Sequence, residues 1–182
     1  MCLMVGGCTA TRQQPFVEGD FTKTAGPGSG VVSGHAYAVM NNNDVLNAEQ
    51  ETVVLTPVTS YTTENVQRRF MRGENLRSAD RRIDKYLRST TTDGQGNFSI
   101  GGVPAGDYYV ETEVNWTSSY QDVDNDGIET TMHADHHKLI YARVSVGKGQ
   151  RVRVTQWDQS SPIKNSFYAY GGTLSHPHHQ TY

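Results

Sequence analysis

The sequence predicts an all-β fold: a sandwich of about seven strands carrying one short helical insertion. Three observations support this. Several short segments alternate apolar and polar residues with period 2, the spacing that lays one face of a strand on a core. Clusters of Gly, Asn, Asp and Pro separate those segments, and 18 of the 182 residues are Gly. Helical spacing is confined to residues 61–88.

Taken in order, VVSGHAYAVM (31–40) is apolar with partial alternation and reads as a strand, closed by the turn cluster NNND (41–44). ETVVLTPV (51–58) is rich in β-branched residues and reads as a second strand, which Pro57 ends or marks as an edge. In residues 61–88 the pairs Val66/Phe70 and Ala79/Ile83 stand four apart, and Leu87 follows Ile83 at the same spacing. Two short amphipathic helices are expected there, separated by Gly73, with Ser78 as the cap of the second. Strand signals return at NFSI (97–100). In DYYVETEVNW (107–116), Tyr108, Val110, Thr112, Val114 and Trp116 share a face. In KLIYARVSV (138–146) the apolar face is Ile140, Ala142, Val144 and Val146. RVRVTQW (151–157) and SFYAY (166–170) complete the set, and residues 171–182 read as a C-terminal tail. Residues 31–170 thus form the expected domain, with the helical insertion at 61–88, and 1–30 precede it as a signal remnant and tether of Gly-, Thr-, Gln- and Pro-containing composition.

The composition narrows the function classes. The chain is polar, with a mean hydropathy of -0.62, 35% hydrophobic and 19% charged residues, yet its 10 Tyr, 5 Phe and 2 Trp supply bulk for a core. A net charge of -3 argues against a strongly basic nucleic-acid binder. No run of about 20 apolar residues occurs, so no membrane-spanning helix is expected. Cys2 and Cys8 are the only cysteines, so the domain itself has no disulfide and no thiolate metal site. The charge is polarised: residues 61–88 hold eight of the 16 basic residues against four acids, a local excess of +4.

Two resemblances enter at this point. Val5-Gly6-Gly7-Cys8 resembles the lipobox of bacterial lipoproteins, in which the cysteine is lipidated and heads the mature chain. It implies a lipid on Cys8, a membrane anchor and a place in the bacterial cell envelope, most simply the outer membrane. A basic n-region and a full apolar stretch do not precede Cys8 in the sequence given. The second resemblance is carried by Gly30-Val-Val-Ser-Gly34-His-Ala36, by VVLTP (53–57) and above all by TTDGQGNFSIGGVPAGDYYVE (91–111). The last looks like the TxTDxxGxFxFxxLPAGxYxV signature of carboxypeptidase regulatory-like domains. It covers roughly residues 31–155 and implies a prealbumin-like, seven-stranded Greek-key sandwich. The family shares no single activity, and its signature is architectural. Physically, Asp93-Gly94 and Gly96 permit a tight turn, Phe98 and Ile100 seed the core, and Pro104 and Gly106 turn the chain into the next strand.

Four constellations are candidates for function. In DVDNDGIE (122–129), Asp122, Asp124 and Asp126 alternate before Gly127, and Glu129 closes a short loop, an oxygen-rich pattern that suits Ca²⁺. His133 occupies the place of the closing EF-hand Glu, so this is not an EF-hand, and a solvated acidic hairpin has the same composition. HADHH puts His133, Asp135 and His137 on one strand face, a minor candidate for Zn²⁺, while His176, His178 and His179 belong to the tail. Tyr109, Trp116 and Tyr120 are candidates for stacking on a sugar, although core packing also needs aromatics at alternating positions. Arg68, Arg69, Arg72, Arg81 and Arg82 form a basic patch for a partner or an anionic surface; acids are interleaved, as on an ordinary solvated face. No GxSxG, HExxH or P-loop occurs, and the YRGS-type tail of transthyretin-like hydrolases is missing.

The expectation is therefore a non-enzymatic, lipid-anchored envelope protein. It would be a structural or adhesive subunit of a surface or periplasmic assembly, with envelope proteins or its own copies as partners. The alternative is a carbohydrate-binding module with a calcium-stiffened loop.

Overall fold

The computed structural model describes residues 10–40, 43–74, 76–77, 79–123, 127 and 129–169, the last five as backbone alone. The chain is all-β, as expected, and the described residues hold ten strands. These are β1 (Gly30–His35), β2 (Tyr37–Val39), β3 (Val45–Asn47), β4 (Thr52–Pro57), β5 (Arg88–Thr91), β6 (Asn97–Val103), β7 (Gly106–Val123), β8 (Glu129–Val146), β9 (Arg151–Val154) and β10 (Lys164–Ala169). They form a three-stranded sheet ordered β6-β1-β9, a five-stranded sheet ordered β10-β8-β7-β4-β5, and the small pair β2-β3.

The two larger sheets face each other across one core. Val32, Phe98, Ile100 and Val154 come from the first; Val53, Leu55, Tyr108, Val110, Val114, Ile140, Ala142 and Val144 come from the second. Close approach is enforced at Gly34, where a Cβ would stand 2.9 Å from both the Phe98 ring and Val154 Cβ. Trp157 closes one end, donating from Nε1 to His35 O at 2.7 Å. Tyr108 fixes the entry to β7, with its hydroxyl donating to Pro104 O at 2.9 Å. The turn before β6 forms as its residues dictate: Asp93 Oδ1 accepts from Gln95 N at 2.9 Å and Asn97 N at 2.8 Å, and Gly96 takes φ 80°.

The helical insertion covers the outer face of the large sheet. Thr59 and Thr62 make a reciprocal capping box that starts helix α1 (Ser60–Asn65), which runs on as a π turn over Val66–Met71. Val66 and Phe70 pack on Tyr109 and Leu139. Gly73, at φ 66°, follows the end of that helix. The second expected helix is a single 3-10 segment, Arg81–Tyr86, capped by Asp80, whose Oδ1 accepts from Arg82 N at 3.0 Å. Ser78, the expected cap, lies outside the described residues.

The expected tether needs correction. From Ala10 onward it belongs to the body: Ala10 bridges Leu76, and Phe21 is fully buried with Tyr61, Ile83 and Tyr86, against which Phe16 also packs. Phe16 and Phe21 stack at 5.0 Å, as do Phe21 and Tyr86. Glu64 holds the segment, accepting from the backbone N–H groups of Gln13 and Gln14 at 2.8 Å each. Two phenylalanines in a polar stretch suffice because the insertion supplies the rest of the cluster.

Candidate functional site

β7 and β8 are each 18 residues long and pair along their whole length, from Gly106↔Val146 to Val123↔Glu129. Only their inner half carries core. Beyond Val114 and its partner Lys138 the hairpin leaves the sandwich, and β10 covers a stretch of β8 there, from His137 to Met132. Lys138 marks the border at 8% exposure, and burial pushes its ammonium pKa down.

The outer half concentrates polar and aromatic groups. The register sets Trp116 opposite His136, and their rings stack with centroids 5.1 Å apart and planes 15° from parallel. Around them Ser118 Oγ bonds His136 Nε2 at 2.7 Å, and Thr117 Oγ1 donates to Asp135 Oδ1 at 2.7 Å. A groove of about 380 Å³ is lined by Asn115, Trp116, Thr117, Asp135, His136 and His137. Its lining comes from both faces of the hairpin: Trp116 and His136 stack on one, and Asn115, Thr117, Asp135 and His137 belong to the other. A second cleft, about 350 Å³, lies between Gln13–Gln14 and α1. No aromatic residue lines it, and its acid, Glu64, already accepts two backbone N–H groups and pairs with Arg68 at 3.2 Å.

The structure separates the three aromatics expected to form one surface. Trp116 and Tyr120 share a face of β7, Trp116 half-buried and Tyr120 47% exposed. Tyr109 belongs to the opposite face and is 6% exposed, packed under the insertion, with its hydroxyl 3.0 Å from Thr63 Oγ1. Its odd position relative to Trp116 forces this, and it does not belong to the surface. His136, the stacking partner of Trp116, is not evident from the sequence because the pairing depends on the β7–β8 register.

His133, Asp135 and His137 do share a face, but each has a neighbour across the hairpin. His133 Nδ1 lies 2.9 Å from Ser119 Oγ, Asp135 accepts from Thr117, and His137 Nδ1 is 3.9 Å from Glu113 Oε1. Among the described residues, no three His, Cys, Asp or Glu side chains are grouped to hold a metal. Asp122 and Glu129 stand at the outer end of the hairpin, opposite Thr130 and Val123. Asp124 and Asp126, the other two expected calcium ligands, lie outside the described residues, as do Cys8, His176, His178 and His179.

The expected basic patch is partly neutralised from within. Arg68 contacts Glu64 and Glu74, both at 3.2 Å, and Arg72 reaches Glu74 at 3.7 Å. Arg69 lies over the Phe70 ring. Arg82 bonds Asp80 and covers Phe16 at 4.8 Å, and its hydrogen bonds pull the Asp80 carboxyl down to about 2. Arg81 is exposed. Among the described residues, no helix is long and apolar enough to cross a membrane.

A buried acid stands where the sequence pattern does not signal one. Glu111 lies on the outer face of β7 at 9% exposure, and its Oε1 has no hydrogen-bond partner. Burial pushes its pKa up to about 7, against the opposing pull of the Thr56 hydroxyl and the Arg69 charge.

The chain is similar to a solved structure from Pseudomonas aeruginosa, described as a "putative carbohydrate binding protein". The two share 25% identity with a TM-score of 0.62, over 79% of this chain and 99% of the other. No protein-family model matches the chain, and no curated protein matches it.

Proposed function

We propose that the chain is a carbohydrate-binding, non-enzymatic β-sandwich protein of the bacterial envelope, taking a sugar against Trp116 in the groove on the outer β7–β8 hairpin. The observation that carries this reading is the likeness to the Pseudomonas aeruginosa protein across nearly that protein's whole length. The groove adds chemical support. A pyranose has one face of C–H groups, which packs on an indole, and a rim of hydroxyls, which His136 and Tyr120, on the same face as Trp116, can hydrogen-bond. A glycan array, followed by calorimetry on the best ligand, tests it. Trp116→Ala should weaken binding by at least about tenfold, equal to roughly 1.4 kcal/mol, while the melting curve stays cooperative. Unchanged affinity in that variant, or no glycan bound by the wild type, overturns the assignment.

The anchor belongs to the same proposal and rests on Val5–Cys8 and its resemblance to a lipobox. Intact mass of membrane-fraction protein should show acyl mass on Cys8, and Cys8→Ser should move the chain to the soluble fraction. A carboxypeptidase regulatory-like lineage fits the way residues 91–111 behave, with Gly96 at positive φ and Phe98 and Ile100 in the core. The sandwich then serves as the frame, and its outer hairpin does the binding.

A further inference from the structure

Among the described residues, the outer half of β7 has one edge without a strand partner. On one side it pairs with β8 throughout; on the other, its last strand partner is Val54 of β4, opposite Glu111. Thr112 and Asn115 still reach β4 and the residue before it, through bonds to Thr52 O at 3.0 Å and Glu51 Oε1 at 2.8 Å. From Asn115 to Gln121, no strand among the described residues pairs with that edge. The backbone groups facing it are known from the start of the strand. Val58 N donates to Asp107 O at 2.9 Å, so odd-numbered residues of β7 turn their N–H and C=O toward the β4 side. Among the described residues, the edge-facing backbone groups of Asn115, Thr117, Ser119 and Gln121 therefore meet no strand partner.

Edges of this kind are usually blunted by Lys, Pro, inward charges or bulges. The segment NWTSSYQ contains none of these residues and no charge at all. We infer that two copies of this chain pair antiparallel along this edge, β7 against β7, joining their large sheets into one. A two-fold axis perpendicular to the sheet maps each face onto itself, so residues of like parity must oppose each other. The midpoint of the open span is Ser118. Centring there sets Asn115 against Gln121 of the second copy, Thr117 against Ser119, and Ser118 against itself.

That register satisfies both chemistries of the edge. The odd residues form the hydrogen-bonded pairs, and every one of them is a neutral amide or hydroxyl. The even residues form the non-hydrogen-bonded pairs, whose side chains come closest, with Cα atoms about 4.5 Å apart. Trp116 then meets Tyr120 of the second copy, and Tyr120 meets Trp116, an aromatic pair made twice. Each copy's Tyr120, 47% exposed in the single chain, gains one such partner. The acids are kept apart: Glu113 falls level with Val123 and Asp122 with Val114. The resulting face runs His136, Trp116, Tyr120 and Met132 across four adjacent strands, and the same row runs in reverse beside it. This goes beyond the sugar reading and stands without it.

Sedimentation velocity on the full chain tests the pairing, with a dimer expected for the wild type. Ser119→Pro removes a donor on the open edge without touching the β8 ladder, and its site lies outside the groove lining. It should raise the dimer dissociation constant by at least about tenfold, since the symmetry removes two bonds at once. A register test guards against a variant that simply folds poorly. In a chain with Cys2 and Cys8 replaced by Ser, Ser118→Cys should oxidise to a disulfide-linked dimer, because about 4.5 Å between Cα atoms suits a disulfide. Asp122→Cys, placed opposite Val114, should remain a thiol monomer. A wild type that stays monomeric at about 100 µM by sedimentation overturns the proposal, and so does a monomer that instead binds an extended peptide along β7. Equal cross-linking at both cysteine positions overturns the register and the proposal with it.

Discussion

The inner and outer halves of the β7–β8 hairpin share two strands and one continuous register but have opposite chemistry. In the inner half, Tyr108, Val110, Val114, Ile140, Ala142 and Val144 bury one face in the main core, while Tyr109 and Leu139 bury the other beneath the insertion. In the outer half the faces carry Thr, Ser, Gln, His and Asp, joined across the strands by bonds such as Gln121–Thr131 at 3.1 Å. The same backbone ladder is thus stabilised in two ways: apolar burial at the root, polar cross-strand pairs beyond it. The comparison teaches where function can be placed. A strand buried on both faces cannot offer a side chain to a ligand, whereas its continuation outside the core can.

The largest expected difference between the halves is energetic. Ile140 is fully buried, so Ile140→Ala should cost about 2–5 kcal/mol in denaturant unfolding, from lost transfer energy and the cavity left behind. Thr131→Ala in the outer half should stay within about 0.5 kcal/mol. Equal losses at the two sites would mean that the outer hairpin is integral to the cooperative core, and the distinction would fail.

Next comes Glu111, the one acid set among apolar groups of the inner half. Its folded carboxyl binds a proton more tightly than the unfolded one, with a pKa of about 7 against an ordinary 4.5. Stability from this group is therefore complete below pH 4.5 and declines as pH rises toward 7, by about 3 kcal/mol in all. Glu111→Gln should remove that share of the pH dependence, making the variant more stable than the wild type at about pH 8 and nearly equal to it at about pH 4.5. Urea midpoints of both proteins across this range are the check, and parallel curves would show that the carboxyl is solvated.

The smallest expected effect lies at the tip of the outer half. If Asp122, Asp124, Asp126 and Glu129 hold Ca²⁺, saturation should raise the melting temperature, by up to about 2.7 kcal/mol of stability at about a hundred times the dissociation constant. The shift should vanish in Asp124→Ala; no shift in the wild type, or an equal shift in the variant, removes the calcium reading.

What could be read in the sequence follows the same division. Alternation is legible wherever a core lies on one face, so Tyr108 to Trp116 and Ile140 to Val146 fall on their correct faces. The outer halves, TSSYQDV and ETTMHADHH, extend both strands with no core to imprint a period, so the strands read from the sequence stop at Trp116 and begin at Lys138, and only HADHH hints at a strand face. Strand β5 is hidden for a similar reason, since RSTT shows alternating burial without apolar residues. Trp116 is visible as a candidate, but its partner His136 stands far along the chain and is fixed only by the register. Glu111 is hidden because a carboxylate in an alternating strand ordinarily faces water, and here the insertion packs over it. The N-terminal segment is obscured by its composition: Phe16 and Phe21 are too few for a core of their own and suffice only with Tyr61, Ile83 and Tyr86 from the insertion.

That docked segment has a mechanical consequence. A force applied at residue 10 does not act first on β1. It must break the Ala10–Leu76 bridge, then the two backbone bonds to Glu64, then peel Phe16 and Phe21 out of their ring cluster. These contacts give way in succession, whereas β1, held between β6 and β9, would have to shear from both neighbours at once. The aromatic cluster therefore acts as a sacrificial fastening: it yields under load and lengthens the chain by roughly fifteen residues, about 50 Å when extended, before the sheets that carry the outer hairpin feel any tension.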